Sequence, residues 1–411
     1  MQIQLSPEFH GNREAAEAEA ILRSCVHCGF CTATCPTYQL EGNELDGPRG
    51  RIYLIKQVFE GGEASRSTQR HLDRCLTCRN CETTCPSGVR YGRLVDIGRQ
   101  VVDARVQRPV AERAIRWVLK EGLTSPLVGP AVRLGQLLRP ALPGVLKKKL
   151  PRRAGARASD WPRTERARKV MLLQGCVQPA MLPNINAATA RVLDAAGLQT
   201  LVAAEAGCCG ALRTHLGDAE GGLADMRRNI DAWWPAIESG AVECIVVNAS
   251  GCGAVVKEYG EALAHEPAYA ERAARISALA KDLSELLPEL LPALKDRMSP
   301  QAAGRRIAVH TPCTLQHAQR LRGGVEAALV MLGFDVTAPA GDGHLCCGSA
   351  GAYSVLQPGI ATTLRDRKLS SLGSQEPDVI VSANVGCILH LQSGTAVPVQ
   401  HWVEVLDQAL A

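Results

Sequence analysis

Cys25-Val26-His27-Cys28-Gly29-Phe30-Cys31-Thr32-Ala33-Thr34-Cys35-Pro36 returns fifty positions later as Cys75-Leu76-Thr77-Cys78-Arg79-Asn80-Cys81-Glu82-Thr83-Thr84-Cys85-Pro86. Both stretches read C-x2-C-x2-C-x3-C-P, the spacing that holds 4Fe-4S clusters. Three thiolates two residues apart can converge on three corners of one cubane, whereas the fourth, three residues on and before a proline, turns away. In such doubled runs the fourth cysteine ligates the other cluster. The assignment is therefore crossed: Cys25, Cys28, Cys31 and Cys85 for one 4Fe-4S cluster, Cys75, Cys78, Cys81 and Cys35 for the second. A pair of zinc sites is the competing reading, but zinc favours two ligand pairs separated by a longer loop. Disulfides fit worse, because most of these spacings are too short to bridge.

The doubled run resembles that of two-cluster bacterial ferredoxins and implies electron transfer. Composition agrees with an intracellular redox protein: 411 residues, 46% of them apolar, and seventeen cysteines. Met1 to Ala20 is polar and acidic without an apolar core, so no secretory signal is expected and the thiols should stay reduced in the cytoplasm. No apolar run is long enough to span a bilayer. A formal charge of +5 and 4% aromatic residues argue against a nucleic-acid partner. Leu94 to Lys120 carries apolar residues at helical spacing and predicts a helix pair. Pro126 to Arg157 is a basic linker, with Arg133, Arg139, Lys147, Lys148, Lys149, Arg152, Arg153 and Arg157 among Pro, Gly and Leu. Such a stretch reads as a solvated connector, with peripheral attachment to an anionic membrane or an acidic partner as the alternative.

The second half holds another duplication. Val170 to Leu173 leads to Cys176, and Ile307 to Val309 leads to Cys313. Gly207-Cys208-Cys209-Gly210 returns as Leu345-Cys346-Cys347-Gly348, and Gly251-Cys252 returns as Gly386-Cys387. The offsets are 137 for the first cysteine, 138 for both members of the doublet and 135 for the last, a regularity that duplication explains. Strand runs alternate with helical segments at Asn186 to Ala196, Leu223 to Trp233 and Val325 to Leu332, which predicts an α/β architecture with parallel sheets. Ligands of open parallel sheets gather outside the carboxyl ends of the strands, where these cysteines fall. Gly207, Gly210, Gly251, Gly348 and Gly386 let the backbone bend close to a bulky group. Cys244 aligns with Val379 in mid-strand and reads as a buried structural thiol.

The doublet and distant final cysteine resemble the cysteine-rich CCG domain of heterodisulfide reductases. A tandem pair of such domains behind a two-cluster module resembles the iron-sulfur subunits of glycolate oxidase (glycolate dehydrogenase), and more distantly those of glycerol-3-phosphate and lactate oxidation. Asp46-Gly47-Pro48-Arg49-Gly50-Arg51-Ile52, Val247-Asn248-Ala249-Ser250-Gly251-Cys252-Gly253 and Ser382-Ala383-Asn384-Val385-Gly386-Cys387 carry the likeness to the glycolate oxidase subunit. The resemblance implies an α-helical two-cluster domain at 1–105, a helical basic linker at 106–165, and α/β CCG repeats at 166–300 and 301–411. It implies electrons passing from flavin-containing subunits, which oxidise glycolate to glyoxylate, towards a quinone or other respiratory acceptor. Two further sites are expected, Cys176, Cys208, Cys209 and Cys252 in one repeat and Cys313, Cys346, Cys347 and Cys387 in the other, each a metal cluster or a set of reduced structural thiols. The full CCG pattern closes with C-x2-C, but Ala249 and Asn384 stand where its first cysteine belongs. Four thiols suit an ordinary cubane better than a noncubane, disulfide-cleaving cluster.

No Gly-x-Gly-x-x-Gly run follows a strand, so no flavin is expected in this chain, and no catalytic residue is assigned. His310, His317 and His344 lie near second-repeat cysteines and read as core or surface histidines, with an outer-shell hydrogen bond as the alternative. Besides an electron-transfer subunit, a thiol-disulfide reductase and a redox sensor or scaffold stay open. The choice among glycolate, lactate and glycerol 3-phosphate belongs to the flavin partner.

Overall fold

The fifty-residue repeat of the cysteine strings is also a repeat of backbone conformation. In the computed structural model, which describes residues 1–125, 127–141, 155–299 and 304–410, His27 and Thr77 both stand in the left-handed region (φ 56° and 52°). So do Gly29 and Arg79, with φ 84° and 58°. Left-handed residues between successive cysteines curl the chain, turn the thiols to one side and aim backbone N–H groups at them; Thr77 N–H donates to Cys75 Sγ at 3.4 Å. Each curl starts a short helix, Phe30–Ala33 or Asn80–Thr84. Around the strings pack the helices Arg13–Ser24, Pro48–Phe59, Arg66–Asp73 and Tyr91–Arg105, burying Leu22, Ile52, Ile55, Phe59, Leu72, Leu94 and Ile97. Gly50 decides how closely the second of these can sit. A Cβ there would lie 2.1 Å from the Glu44 carbonyl oxygen, so the helix seats on the Glu44–Asp46 turn only with glycine.

Tyr91–Arg105 and Val110–Trp117 form the expected helix pair, and the helix Val128–Leu137 follows. Arg133, Arg139 and Arg157 belong to described elements. Lys147, Lys148, Lys149, Arg152 and Arg153 lie outside the described residues.

Each later repeat is one four-stranded, wholly parallel sheet flanked by helices. The first contains β1 (Arg168–Leu173), β2 (Leu198–Leu201), β3 (Ile245–Val247) and β4 (Ala280–Asp282), in the order β2-β1-β3-β4. The second contains β5 (Arg306–Val309), β6 (Asp335–Thr337), β7 (Val379–Ser382) and β8 (Val399–His401), in the order β6-β5-β7-β8. The chain winds to one side of the first strand and then to the other, which opens a crevice between β1 and β3, and likewise between β5 and β7. Matching main-chain bonds fix the equivalences between repeats. Glu243 N–H donates to Lys169 O as Asp378 N–H donates to Arg306 O, so Cys244 matches Val379, Leu173 matches His310 and Val247 matches Ser382. Cys244 is buried as expected but stands one residue ahead of β3 rather than in mid-strand, its carbonyl accepting Met171 N–H.

The repeats meet along a polar seam over a shared apolar core. Ser250 N–H donates to Ala383 O at 2.9 Å, Gln319 Nε2 donates to Ser250 O at 2.9 Å, and Arg191 clasps Asp407 at 2.8 and 2.9 Å. His401, fully buried at the start of the Trp402–Ala409 helix, accepts Val403 N–H on Nδ1. Its Nε2–H therefore donates to Asn248 O of the first repeat, at 2.8 Å.

Burial holds the His401 pKa down, to about 4 from 6.5. The folded protein thus keeps this ring neutral while the unfolded chain protonates it below 6.5, so its contribution is complete above that pH and lost as pH falls towards 4. Denaturant unfolding at pH 7 and pH 5 should show about 2 kcal/mol of stability lost from this site alone. In His401→Gln, whose amide can still donate but does not titrate, that part of the pH dependence should vanish. An unchanged pH dependence in the variant would refute the assignment.

Candidate metal centres

The curls, the strand ends and the doublets deliver thiols in four sets. All seventeen cysteines are free. Burial and then the neighbouring Cys25, Cys28 and Cys85 push the Cys31 thiol up to about 11, and Cys25 is raised by burial and by Cys85 and Cys28. These four thiols line one hollow with Pro48, Ile52, Val89 and Tyr91, and Cys81 also reaches its wall. Cys81 is pushed up by burial, then by Cys78, Cys75 and Cys35. The chain thus brings the fourth cysteine of each string to the other string's first three.

Arg51, which spacing did not single out, lies wholly buried beside this second set. Burial opposes its charge, but Tyr91, Cys75, Cys35 and Asp46 outweigh it and keep the guanidinium protonated. It donates to the His71 carbonyl at 2.7 Å and to Thr37 Oγ1 at 3.2 Å, and lies 3.7 Å from the buried Asp46 carboxylate. Asp46 also holds His71 Nδ1 at 2.9 Å and Arg74 at 2.8 Å. Tyr91 Oη donates to Cys75 Sγ at 3.6 Å. Four thiols round one hollow, and four more with a buried cation beside them, suit anionic iron-sulfur cubanes.

In the first repeat, Cys176 follows β1, the Cys208-Cys209 doublet follows β2, and Cys252 sits in the first turn of the helix Ser250–Val256 after β3. All four meet over the crevice. Hydrogen bonds from the Cys176 and Cys209 thiols hold Cys208 low, and the same contacts push those two partners up. Asp225 beside them is pushed up to about 6 by burial and then by Cys208, with Arg228 at 2.9 Å. Cys176 and Cys252 remain partly exposed.

The second repeat repeats this placement with every thiol buried. Cys313 Sγ and Cys346 Sγ are 3.8 Å apart, and Cys347 bonds to Cys387, which lies in the first turn of the helix Val385–Gln392. Gly348 (φ 87°) closes the doublet so tightly that a Cβ would meet Ala361 O at 2.4 Å. Lys368 Nζ, buried, donates to Asp342 O at 2.5 Å; burial holds its pKa below the usual lysine value, against the opposing pull of Cys347 and Cys346. His317 is held by Thr83 Oγ1 at 3.0 Å and the His344 carbonyl at 2.8 Å, and acts as a bracket to the N-terminal domain.

The sets are not isolated from one another. Burial, then Cys313, then Cys35 and Cys75 push the Cys78 thiol up, and Cys346 feels Cys78 in turn. Leu76, Cys313, Cys346, Tyr353, Ala361 and Leu364 form one apolar cluster, against which Cys78 packs. Tyr353 Oη donates to Arg74 O at 3.0 Å across the same boundary.

Residues 21–89 match the 4Fe-4S dicluster domain family, and residues 170–257 and 307–392 each match the Cysteine-rich domain family. The chain is 55% identical to the glycolate oxidase iron-sulfur subunit of Escherichia coli K12, over 100% of this chain and 99% of that protein. It belongs to the glycolate oxidase iron-sulfur subunit family. A probable glycolate oxidase iron-sulfur subunit of Bacillus subtilis is 31% identical over 95% of this chain and 92% of its own. Lactate utilization protein A of Bacillus licheniformis is 28% identical over 58% of this chain and 99% of its own.

For this member of the glycolate oxidase iron-sulfur family, the structure shows what takes the place of the first cysteine of the closing C-x2-C. Ala249 and Asn384 lie on the seam between the repeats. Asn384 Oδ1 accepts Gly386 N–H at 2.9 Å and so caps the helix that carries Cys387, while its Nδ2 reaches Ser250 Oγ at 3.4 Å. Ala249, buried, precedes the Ser250 N–H that bonds across the seam.

Two predictions follow from the geometry of the N-terminal sets. Cys35→Ser should alter the spectrum of the cluster held by Cys75, Cys78 and Cys81, and Cys85→Ser that of the other; if each substitution perturbs its own string, the crossed pairing is wrong. Arg51→Met leaves Asp46 short of a buried partner and should cost about 3–5 kcal/mol. Denaturant unfolding checks this, and iron analysis should show loss from the set containing Cys35 and Cys75 first.

Proposed function

We propose that this chain is the iron-sulfur electron-transfer subunit of a glycolate oxidase (glycolate dehydrogenase) complex. In this reading flavin-containing partner subunits oxidise glycolate to glyoxylate, and the chain carries the electrons towards a quinone or other respiratory acceptor. Residues 1–105 form the two-cluster module, 106–165 the linker, and 166–300 and 301–411 the two repeats. Cys25, Cys28, Cys31 and Cys85 would hold one 4Fe-4S cluster, and Cys75, Cys78, Cys81 and Cys35 the other. Cys176, Cys208, Cys209 and Cys252 would hold a third metal site, and Cys313, Cys346, Cys347 and Cys387 a fourth. When bound, such clusters accept and release single electrons, whereas removing two electrons from a hydroxyacid needs a cofactor that takes pairs.

The observation that carries the reading is the contact of Cys78 with Cys313 and Cys346. With Cys81 at the wall of the Cys25 hollow, it puts three of the four thiol sets in series, the Cys25 set, the Cys75 set and the second repeat, through the interior. The outer end of the series is accessible. Cys28 is exposed, and Val26 and Phe30 beside it are 68% and 61% exposed. An apolar rim round an exposed ligand fits the docking of the flavin subunit.

Among the described residues no helix is long and apolar enough to cross a membrane. Attachment at the cytoplasmic face would instead use the segment Val110–Leu138, where Trp117, Leu127, Leu134 and Leu137 are exposed and the basic stretch follows.

The purified chain, supplied with glycolate and a one-electron dye, should reduce no dye. Adding the flavin subunits should start the reaction. Robust dye reduction by the chain alone would overturn the electron-transfer reading.

A further inference from the structure

The two repeats share a fold, a thiol set and a seam, yet differ at one strand end beside the thiols. His310 directly follows β5, is 3% exposed, and has a ring nitrogen within 4.8 Å of both Cys347 Sγ and Cys387 Sγ, which are as close to each other. Its match in the first repeat is Leu173, buried in apolar surroundings. His310 Nδ1 is bonded to Ser382 Oγ at 2.9 Å, and the match of Ser382 is Val247, also buried. An apolar pair in one repeat is thus a polar pair in the other, although the first repeat proves that the fold stands with leucine and valine. Burying an imidazole and a hydroxyl costs free energy that an apolar pair does not, and the imidazole comes within reach of two of the thiols.

We propose that His310 is a protein ligand of the metal site in the second repeat, which is therefore held by four thiolates and an imidazole, whereas the first repeat offers thiolates alone. The inference rests on the reading of the second repeat as a metal site and adds a donor to it. Asn384, at the position of the missing thiol, is committed to capping Gly386 and cannot supply the fifth donor. The neighbouring strand end supplies it instead. Metal-bound histidines characteristically hydrogen-bond through their other ring nitrogen. On this assignment Nδ1–H donates to Ser382 and Nε2 faces the metal.

The test uses the full-length chain, reconstituted anaerobically with iron and sulfide and carrying 15N-labelled histidine, examined by pulsed electron paramagnetic resonance after stepwise reduction. A coupling of the size of a directly bonded nitrogen is expected in the parent and in His317→Gln. It should be absent in His310→Gln and in the double variant His310→Leu with Ser382→Val, which installs the pair that the first repeat already tolerates. A coupling that persists in these variants, or no such coupling in the parent at any stage of reduction, overturns the proposal. Iron analysis of the triple variant Cys346→Ser, Cys347→Ser and Cys387→Ser separates the two ideas: iron lost there, without any nitrogen coupling in the parent, means a real site that His310 does not ligate. Iron unchanged means no metal site in the second repeat, and both readings fall.

Discussion

Thiolates gathered in one buried hollow repel one another and shed their hydration, and most of the features around the four sets answer that difficulty. In the N-terminal domain the answer is a cation and a curl. Arg51, sealed from solvent, faces Cys35 and Cys75, while left-handed residues turn backbone N–H groups towards sulfur. In the repeats it is the positive ends of two helices, which bring Cys252 and Cys387 in at their first turns. Lys368 adds a second buried cation, close to the doublet of the second repeat. Each device is costly alone: a buried guanidinium, a buried ammonium, and Arg79 at positive φ. They become favourable together with the negative charge of the thiolate sets they surround.

The same constraint explains why a duplicated fold has two different ends. The first site keeps Cys176 and Cys252 partly exposed, with Asp225 and Arg228 at its edge, so water shares the work of solvating charge. The second is wholly enclosed, because the N-terminal domain lies over it, with Leu76 and Cys78 packed on Cys313, Cys346 and Tyr353. Enclosure removes water as a partner, and polar groups fill the role from within. Lys368 stands where the first repeat has Asn229, since Gly222 and Ala361 each offer a carbonyl to the doublet glycine and these positions lie seven residues further on. Asn229 serves the loop of the first doublet by accepting Gly207 N–H and donating to Cys208 O. The exchange of an amide for an ammonium follows the loss of solvent.

Much of this was legible in the sequence because it is written in spacing. The two cysteine strings, the doublets and the constant offsets are local patterns, and the alternation of strand runs with helices predicted parallel sheets that are there. The crevice position followed as well, since each cysteine lies in the loop or helix start that follows a strand. What spacing did not disclose depends on residues far apart in the chain. Arg51 sat inside a stretch noticed only for its likeness to relatives, and nothing in Asp46 to Ile52 announces that its guanidinium points at Cys35 and Cys75. The contact of Cys78 with Cys313 spans more than half the chain and arises from packing of whole domains. His310 looked like one of three histidines near cysteines. Only the strand register, by matching it to Leu173, made its polarity conspicuous.

Register also gives direction to the molecule. Two equivalent repeats offer the N-terminal domain two equivalent thiol sites, yet only the second meets Cys78, and the first is reached from that domain through ion pairs such as Arg79 with Glu258 and Arg90 with Glu261. Ion pairs at a partly exposed boundary orient domains at little net gain in stability. Apolar packing of Leu76 on Cys346 and Tyr353 excludes water and fixes distance. The duplication thus provides one repeat that holds the N-terminal domain by its surface and one that receives it into its core. A chain built to move electrons needs that asymmetry, because a series of sites with two equal exits would have no preferred direction.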